Sequence, residues 1–184
     1  MNTPSHTAPD TVHPSEFRRA MRNVPTTVTV VATMNGDQPI GMVVGTFTAI
    51  SMDPLLVGFF GDHRSKTLTE ITAADRWSFS VLHQDDALAA EAFRGPPESR
   101  FSALTWDVSD FGTPLIRGAM ITIEAINDSV VRIGDHDLVT AKVMSLREGD
   151  RSRHPLVYFQ GRMTRLDPEQ VSHSGGTIQA GRSR

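Results

Sequence analysis

The hydrophobic and polar positions of the chain follow a helical period first and a strand period afterwards. Apolar residues recur at helical spacing from Phe17 to Val24, with Ser15 as the predicted N-cap and Pro25 as the predicted end of the helix. Beyond Pro25 the apolar residues are rich in β-branched types and come in short runs, which favours strands. Seven strands are predicted, at residues 26–33, 40–51, 54–60, 77–82, 120–126, 138–144 and 156–163.

Turn residues separate these runs. Asn35-Gly36 predicts a hairpin, because both residue types tolerate positive φ. Gly41 and Gly45 predict a bulge or a close approach of the backbone within the second strand. Many strands without regular alternation of strand and helix favour a closed or partly closed barrel, so the predicted class is mainly β with short helices. The two short helices are predicted at about residues 65–74 and 85–93.

Composition and charge exclude several classes of protein. The 184 residues suit one domain, predicted at 15–166, between a disordered N-terminal arm at 1–14 and a disordered tail at 167–184. The absence of cysteine excludes disulfides, iron–sulfur clusters and a cysteine nucleophile. A formal net charge of −3 argues against nucleic-acid binding. With no membrane-length apolar run and no signal-peptide pattern, we expect a soluble, cytoplasmic protein.

The common catalytic motifs are missing from the chain. It has no Gly-rich dinucleotide fingerprint, no phosphate loop and no nucleophile elbow, and its seven histidines show no metal-ligand spacing. We therefore expect no metal site. A barrel without its own acid, base or metal can still be an enzyme if a cofactor carries the reaction.

One predicted turn contains more ionisable side chains than a turn requires. The stretch "VRIGDHDLVTAKV" places Asp135, His136 and Asp137 directly behind Gly134, between two apolar runs. Taken alone, such a histidine is more often a solvated turn residue than a site residue. A second Gly-Asp-His at 61–63 is interpreted as a loop that precedes a helix.

Several stretches in order give the chain a resemblance to a known family. They are "FRRAM", "VPTTVTVVAT", "GMVVGTFTAISMDPLLV", "SKTLTEI", "FSVLHQDDALAAEAFRG" with "SRFSALTW", "GTPLIRGAM", "GDHDLVTAKV" and "HPLVYFQGRM", which together cover residues 17 to about 166. In these the chain resembles the flavin reductases, the small components of two-component flavin-dependent monooxygenases. The chain departs from the family pattern at Thr27, at Met163, and at Gly45 and Ala49, which stand where Asn and Ser are usual.

The resemblance implies an FMN-binding split β-barrel that is usually a homodimer. Such proteins reduce FMN or FAD with NADH or NADPH, often for a separate flavin-dependent monooxygenase. Two alternatives stay open: a flavin-binding electron carrier or sensor without dinucleotide turnover, and a barrel scaffold that binds no flavin. The loss of the Asn and Ser side chains at Gly45 and Ala49 keeps the second alternative open.

The resemblance also implies positions for the flavin, each with a structural alternative. The strand at 43–51 would line the isoalloxazine ring, or would be an ordinary core strand. The start of the helix at residue 65 would bind phosphate, or would be a capped helix end with solvated charges. The flavin-binding residues expected are Val43, Val44, Gly45, Thr46, Thr48, Ala49, Ile50 and Ser51 for the ring, and Arg64, Ser65, Lys66 and Thr67 for the phosphate.

Four further residues are implied around the flavin. Arg100 would meet phosphate or ribose and Phe101 would stack on a ring, although a surface ion pair and a loop anchor explain them equally well. Tyr158 would lie beside the nicotinamide or in the barrel core. His136 would be the catalytic residue, facing the nicotinamide side and orienting the dinucleotide for direct hydride transfer. Trp77 and Trp106 are interpreted as packing residues.

Overall fold

The computed structural model describes residues 12–166. The predicted disordered tail and most of the predicted N-terminal arm lie outside these described residues. Among residues 12–166, no helix is both long and apolar enough to cross a membrane.

The first helix, α1, spans Pro14–Met21 and begins two residues earlier than predicted. Its N-cap is His13, whose ring accepts a hydrogen bond from the Ser15 amide, so the prediction of Ser15 as the cap is wrong. Proline favours the first helical position because its φ is already helical and its missing N–H is not needed there. No residue of α1 is buried, and Phe17 is exposed.

The remaining elements are mostly strands, which confirms a mainly β fold with short helices. Two further α-helices occur within the described residues, α2 (Lys66–Thr72) and α3 (Ala87–Ala92). The strands are β1 (Thr26–Thr27), β2 (Thr29–Asn35), β3 (Gln38–Val44), β4 (Thr48–Met52), β5 (Leu55–Asp62), β6 (Arg76–Val81), β7 (Trp106–Val108), β8 (Pro114–Ile116), β9 (Ile121–Ile133), β10 (His136–Glu148), β11 (Leu156–Phe159) and β12 (Arg162–Arg165).

The strands form three antiparallel sheets. The main sheet has seven strands in the order β3-β2-β6-β9-β10-β5-β4, and the smaller sheets are β1-β11-β12 and β7-β8. Its two edge strands, β3 and β4, are joined by residues 45–47 alone. Three linking residues span only about 10 Å, so the two edges must lie close together. The main sheet therefore curls round on itself as a barrel does.

The predicted single strand at 40–51 is thus wrong, since the chain leaves one edge of the sheet and joins the other. Thr46 makes this crossing possible. Its hydroxyl accepts a hydrogen bond from the Phe60 amide at 2.9 Å and donates one to the Phe60 carbonyl at 3.1 Å. The side chain thereby replaces a strand partner at the point where the backbone ladder is interrupted.

The barrel is filled by two clusters of buried side chains. In the first, Phe59, Trp77 and Phe79 pack with α2, and the Trp77 indole donates to the Ile71 carbonyl at 2.7 Å. The second cluster lies beneath α3 and the segment that follows it, and it contains Val28, Leu82, Phe93, Phe101 and Leu156.

The close backbone approach predicted at Gly41 is confirmed. A Cβ atom at this position would lie 2.8 Å from the Phe101 ring. The lack of a side chain at Gly41 therefore lets residues 96–102 pack directly onto β3. This contact positions Arg100, the neighbour of Phe101.

The hairpin between β9 and β10 brings the two Gly-Asp-His segments together. Gly134 makes the turn at φ +63°, and His136 pairs with Asp62 across the sheet. Gly61 and Asp62 belong to β5, so the interpretation of residues 61–63 as a loop is wrong for these two. Strand pairing with the hairpin, which sequence spacing does not reveal, extends β5 to this point.

Candidate functional site

A cavity of about 350 Å³ opens between the β1-β11-β12 sheet, β3, the start of α2 and α3. This volume is in the range of small-ligand sites. Six of the residues predicted to bind cofactor line it, and they come from four separate parts of the chain. They are Val43, Gly45, Ser65, Thr67, Arg100 and Tyr158.

One end of the cavity is polar and is organised by Arg100. Its Nη1 donates to the Gly41 carbonyl and to the Thr67 hydroxyl, both at 3.0 Å, and its Nε donates to the Gly95 carbonyl at 3.3 Å. The guanidinium is partly buried and held in one place.

The two hydroxyls beside Arg100 keep their protons for a ligand. Thr67 accepts from Arg100, and Ser65 accepts from the Leu68 amide at 3.2 Å. A hydroxyl that accepts in this way still has its own O–H to donate. A fixed cation with two hydroxyl donors is a suitable arrangement for phosphate.

The rest of the cavity wall is largely apolar. Met42, Val43, Phe93 and Met163 contribute side chains to it. Gly45 lies at its edge, where a Cβ atom would come within 2.8 Å of the Thr26 hydroxyl oxygen. The close approach predicted at Gly45 is confirmed.

A second group of predicted residues lies outside this cavity, along β4 and the connection before it. The Thr46 hydroxyl is hydrogen-bonded to the backbone of Phe60, and Thr48 pairs with Gly58 in the sheet. Ile50 is exposed, and its Cδ1 occupies the position that a side chain on Gly58 would take. The group also contains Ala49, which is exposed, and Ser51, whose hydroxyl accepts from the Asp53 amide. Val44 points elsewhere, into the first core cluster.

The two cations predicted at the start of α2 do not line the cavity. Arg64 is exposed and donates to both carboxylate oxygens of Asp62, at 3.0 and 2.7 Å. These hydrogen bonds hold the pKa of Asp62 below its ordinary value. Lys66 is exposed. Phe101 is buried against Phe93 and Trp106, which is the position of a loop anchor.

His136 begins β10 and lies on the hairpin, not in the cavity. Its Nδ1 is 2.7 Å from the Asp135 carboxylate, and the hydrogen bond from His136 lowers the pKa of Asp135. His63 binds the Asp135 carbonyl at 2.8 Å and so ties the hairpin to the end of β5. Since Asp135 occupies Nδ1, Nε2 is the ring nitrogen left for a ligand. The catalytic role of His136 stays a prediction.

Several lining residues were not predicted from the sequence. Arg94 also lines the cavity, and its guanidinium is paired with Glu91 at 3.2 Å. Its position directly after Phe93 in "AFRG" was the available signal. The other unpredicted lining residues are Thr26, Thr27, Val28, Met42, Ala90, Phe93 and Met163. Within residues 12–166, no cluster of three or more His, Asp or Glu could hold a metal.

Comparison with known proteins identifies the family. Residues 21–167 match the model of the flavin reductase like domain. The chain is 30% identical over 162 residues to HsaB of Mycobacterium tuberculosis, the reductase subunit of a flavin-dependent monooxygenase, covering 88% of this chain and 87% of that protein. It is 33% identical over 152 residues to a flavin reductase of Pseudomonas putida, covering 82% and 88%.

Solved structures agree with this match. The crystal structure of nitrilotriacetate monooxygenase component B from Mycobacterium thermoresistibile superposes with a TM-score of 0.81 at 31% identity, covering 85% of this chain and 88% of that one. An NADH:FAD oxidoreductase of Streptomyces globisporus, solved in complex with NAD and FAD fragments, gives a TM-score of 0.79 at 28% identity, with coverage of 87% and 98%. Both the resemblance and the fold class predicted from the sequence are confirmed. With four fifths of its length matched by one family model, the chain belongs to the flavin reductase like family.

Proposed function

We propose that the chain is an NADH-dependent flavin reductase that reduces FMN or FAD by hydride transfer and supplies the reduced flavin to a separate monooxygenase. The observation that carries the proposal is the cavity with Arg100, Ser65 and Thr67 at one end and an apolar wall along the rest. Relatives are named for the same chemistry, among them an NADH:FMN oxidoreductase of Rhodococcus erythropolis, 27% identical over 180 residues.

The residues of the cavity fit a flavin mononucleotide. Arg100 and the two free hydroxyl protons would hold its phosphate, and Val43 and Met42 offer an apolar surface to its ring. Gly45 leaves the backbone accessible where a ring with polar edges needs donors. When bound, the flavin supplies the atom that accepts a hydride from the nicotinamide. The protein's own contribution is to bind, orient and partly desolvate the two rings.

His136 is proposed to orient the dinucleotide. It lies on β10 opposite Asp62, and Asp62 comes three residues before Ser65, which lines the cavity. With Nδ1 held by Asp135, a neutral ring offers Nε2 as an acceptor, which suits the carboxamide N–H of a nicotinamide. The ring needs no proton transfer in this role, because geometry governs a direct hydride transfer.

A homodimer is proposed on the exposed face of β5, β10 and β9. Phe60, Leu138 and Val131 lie directly opposite one another in the register, so their side chains share one face. Phe60 and Val131 are 38% and 49% exposed, and Ile133 beyond them is 49% exposed. A run of apolar side chains in the middle of a sheet favours burial against another protein surface. A cytoplasmic location, where NADH is available, fits the reaction.

The test is to follow NADH absorbance with FMN and then FAD, for the wild type and for His136→Ala. We expect turnover by the wild type and a KM for NADH at least tenfold higher in the variant, with the flavin dissociation constant within twofold of wild type. Equal loss of flavin binding in the variant would contradict the proposed role of His136. A yellow protein that oxidises NADH negligibly would indicate an electron carrier, and a colourless protein that binds neither flavin would indicate a scaffold.

A further inference from the structure

A buried histidine lies outside the residues assigned to the flavin. His83 is 5% exposed and precedes one 3₁₀ turn, residues 84–86, which leads into α3. Its backbone also pairs with Pro155, directly before β11. Both neighbouring elements line the cavity, α3 through Ala90 and β11 through Tyr158. The His83 ring therefore lies at the junction of two elements that form the cavity wall.

Two side chains compete for one nitrogen of this ring. Nε2 of His83 is 2.6 Å from Nη1 of Arg153 and 3.2 Å from the Asp86 carboxylate. Arg153 can only donate, so it requires an Nε2 without a proton, whereas the Asp86 carboxylate accepts and requires an Nε2 that carries one. A separation of 2.6 Å between two nitrogens leaves no room for a hydrogen on each. The structure therefore corresponds to a neutral ring whose Nε2 accepts from Arg153.

The carboxylates beside the ring favour a second arrangement, in which the ring is protonated. With Nε2 bare, the ring proton is on Nδ1, where the Asp85 carboxylate lies at 3.6 Å and the Asp85 amide at 3.1 Å. A proton added to Nε2 faces Asp86, whose pKa is raised by burial. A partly buried carboxylate gains from a positive partner. Protonation of His83 therefore exchanges Arg153 for Asp86.

Arg153 belongs to the loop at residues 149–155, and its other neighbours leave it free to make this exchange. Its amide donates to the carbonyl of Asp150 at 3.2 Å, so a carboxylate of the same loop is at hand for a released guanidinium. On the remaining side lies Gly118, where a Cβ atom would come within 3.3 Å of Nη1. Arg117, next to Gly118, is paired with Asp107.

We propose that His83 is a positioning residue for the cavity, and that it acts only while its ring is neutral. A neutral ring accepts from Arg153 and so joins the loop at 149–155 to the start of α3. A protonated ring repels the guanidinium and loses this contact. Imidazoles take up a proton between about pH 5 and 8, so the contact is present at the alkaline end of this range and absent at the acidic end. The inference rests on the proposed function, which supplies the flavin as the ligand of the cavity.

The test compares Arg153→Ala with Arg151→Ala, a matched control in the same loop that is exposed and paired with Glu148. Dissociation constants of FMN are measured from flavin fluorescence at about pH 8 and about pH 5.5, the range in which an imidazole titrates. Each constant is divided by that of the wild type at the same pH, because this ratio cancels the ionisation of the FMN phosphate.

Arg153→Ala should give a ratio of about five at the higher pH, the effect of one net hydrogen bond, and a ratio near one at the lower pH. Arg151→Ala should give a ratio near one at both. A merely structural role for Arg153 would leave its ratio independent of pH. Equal ratios for Arg153→Ala at the two pH values would therefore overturn the proposal.

His83→Gln tests whether His83 is the group that titrates. The amide oxygen of glutamine accepts from Arg153 but takes up no proton in this pH range. In the His83→Gln background, adding Arg153→Ala should change the dissociation constant by the same factor at both pH values. A factor that still falls in acid would assign the titration to another group and overturn the role of His83.

Hydrogen exchange provides a readout that needs no flavin. The Gln84 amide donates to the His154 carbonyl at 2.9 Å across the same junction. At about pH 8 this amide should exchange about fivefold faster in Arg153→Ala than in the wild type, with equal rates at about pH 5.5. Equal rates at the higher pH would overturn the proposal. A wild-type protein that shows the difference but binds no flavin would contradict the proposed function while supporting the contact between His83 and Arg153.

Discussion

At the scale of single residues, Arg100 is positioned before any ligand arrives. Two backbone carbonyls and the Thr67 hydroxyl hold the guanidinium, so binding a phosphate requires little further ordering of this side chain. Arg64, two positions before the helix, is held equally well but by a carboxylate. Because Asp62 already neutralises the charge of Arg64, this guanidinium attracts an anion less strongly than Arg100 does, since the carbonyls that bind Arg100 are neutral.

Thr67→Val should therefore weaken binding of phosphorylated flavins specifically. The variant keeps the shape of the side chain but removes one donor to the phosphate and one acceptor for Arg100, and a hydrogen bond to a charged group contributes about 1.5–3 kcal/mol. We expect the dissociation constant of FMN to rise about tenfold or more, while that of riboflavin, which has no phosphate, stays within twofold. Titration of flavin fluorescence measures both.

Lys66→Ala is the matched control, because Lys66 lies between Ser65 and Thr67 but is exposed and does not line the cavity. It should leave both constants unchanged. A loss of riboflavin binding in Thr67→Val would mean that the residue supports the flavin ring and not the phosphate. A loss of FMN binding in Lys66→Ala would indicate that the phosphate binds on the exposed side of α2.

The sequence predicted which segments meet at the cavity better than which side chains face it. Family motifs locate Ser65, Thr67 and Arg100, and all three line the cavity. Arg64, directly before the "SKTLTEI" motif, was predicted with these residues but turns to Asp62, a contact that depends on the backbone at the end of β5. Arg94 lies in the quoted stretch that ends in "AFRG", but its place at the cavity depends on how α3 packs.

At the scale of secondary-structure elements, the largest error of the sequence prediction was to join β3 and β4 into one strand. Residues 40–51 have a continuous apolar pattern, and such a pattern indicates extended backbone without saying which edge of a sheet each half joins. The change of edge depends on Thr46, whose hydroxyl bonds to Phe60, fourteen residues away. Contacts of this kind are set by tertiary packing, and local propensity does not report them.

Another element contact joins the β7-β8 hairpin to the main sheet through Glu124. This carboxylate on β9 is only 5% exposed, and it accepts from Ser109, from Thr113 at 3.1 Å and from Ser145 on β10 at 2.6 Å. Burial raises the pKa of Glu124, but the hydroxyl donors outweigh it, and the net direction is downward. The folded state thus prefers the ionised form more strongly than the unfolded chain does.

Glu124→Gln should lower the free energy of unfolding by about 2 kcal/mol at pH 7, because the charged acceptor of three hydroxyls is lost. A lowered pKa in the folded state contributes stability above the unfolded pKa, near 4.3, and this contribution is lost as the pH falls through the folded value. The difference in the free energy of unfolding between wild type and variant should be constant from pH 7 to about pH 5 and should become smaller below pH 5. Urea unfolding at fixed protein concentration measures it.

Glu148→Gln provides the comparison for Glu124, since Glu148 is exposed and bound only to Arg151. Its effect should stay below about 1 kcal/mol at every pH. A difference for Glu124→Gln that widens in acid would show that the pKa of the carboxyl is higher in the folded protein than in the unfolded chain. That result would reverse the direction assigned to its pKa.

At the scale of the whole molecule, the curled sheet has an inner face and an outer face of different character. The inner face of β5 and β10 packs against the core, where Phe59 and Val139 are fully buried. The outer face carries Phe60, Leu138 and Val131 in one row, with Ile50 of β4 beside Gly58. Short apolar runs predicted the strands at 54–60 and 138–144, but they gave no reason for apolar residues on both faces of the sheet. A second protein surface over the outer face would supply that reason.

If this outer face is the contact between two copies, a charge placed in its centre should separate them. Val131→Lys puts a solvated ammonium at a position that is 49% exposed in one chain and would become buried in the dimer, where an unpaired charge costs several kcal/mol. In sedimentation equilibrium the wild type should be a dimer at micromolar concentration and the variant a monomer. Leu88→Lys is the control, because Leu88 is 87% exposed on α3, away from this face, and should leave the dimer intact. A monomeric wild type, or a Val131→Lys protein that dimerises as tightly as the wild type, would show that the outer face binds something else.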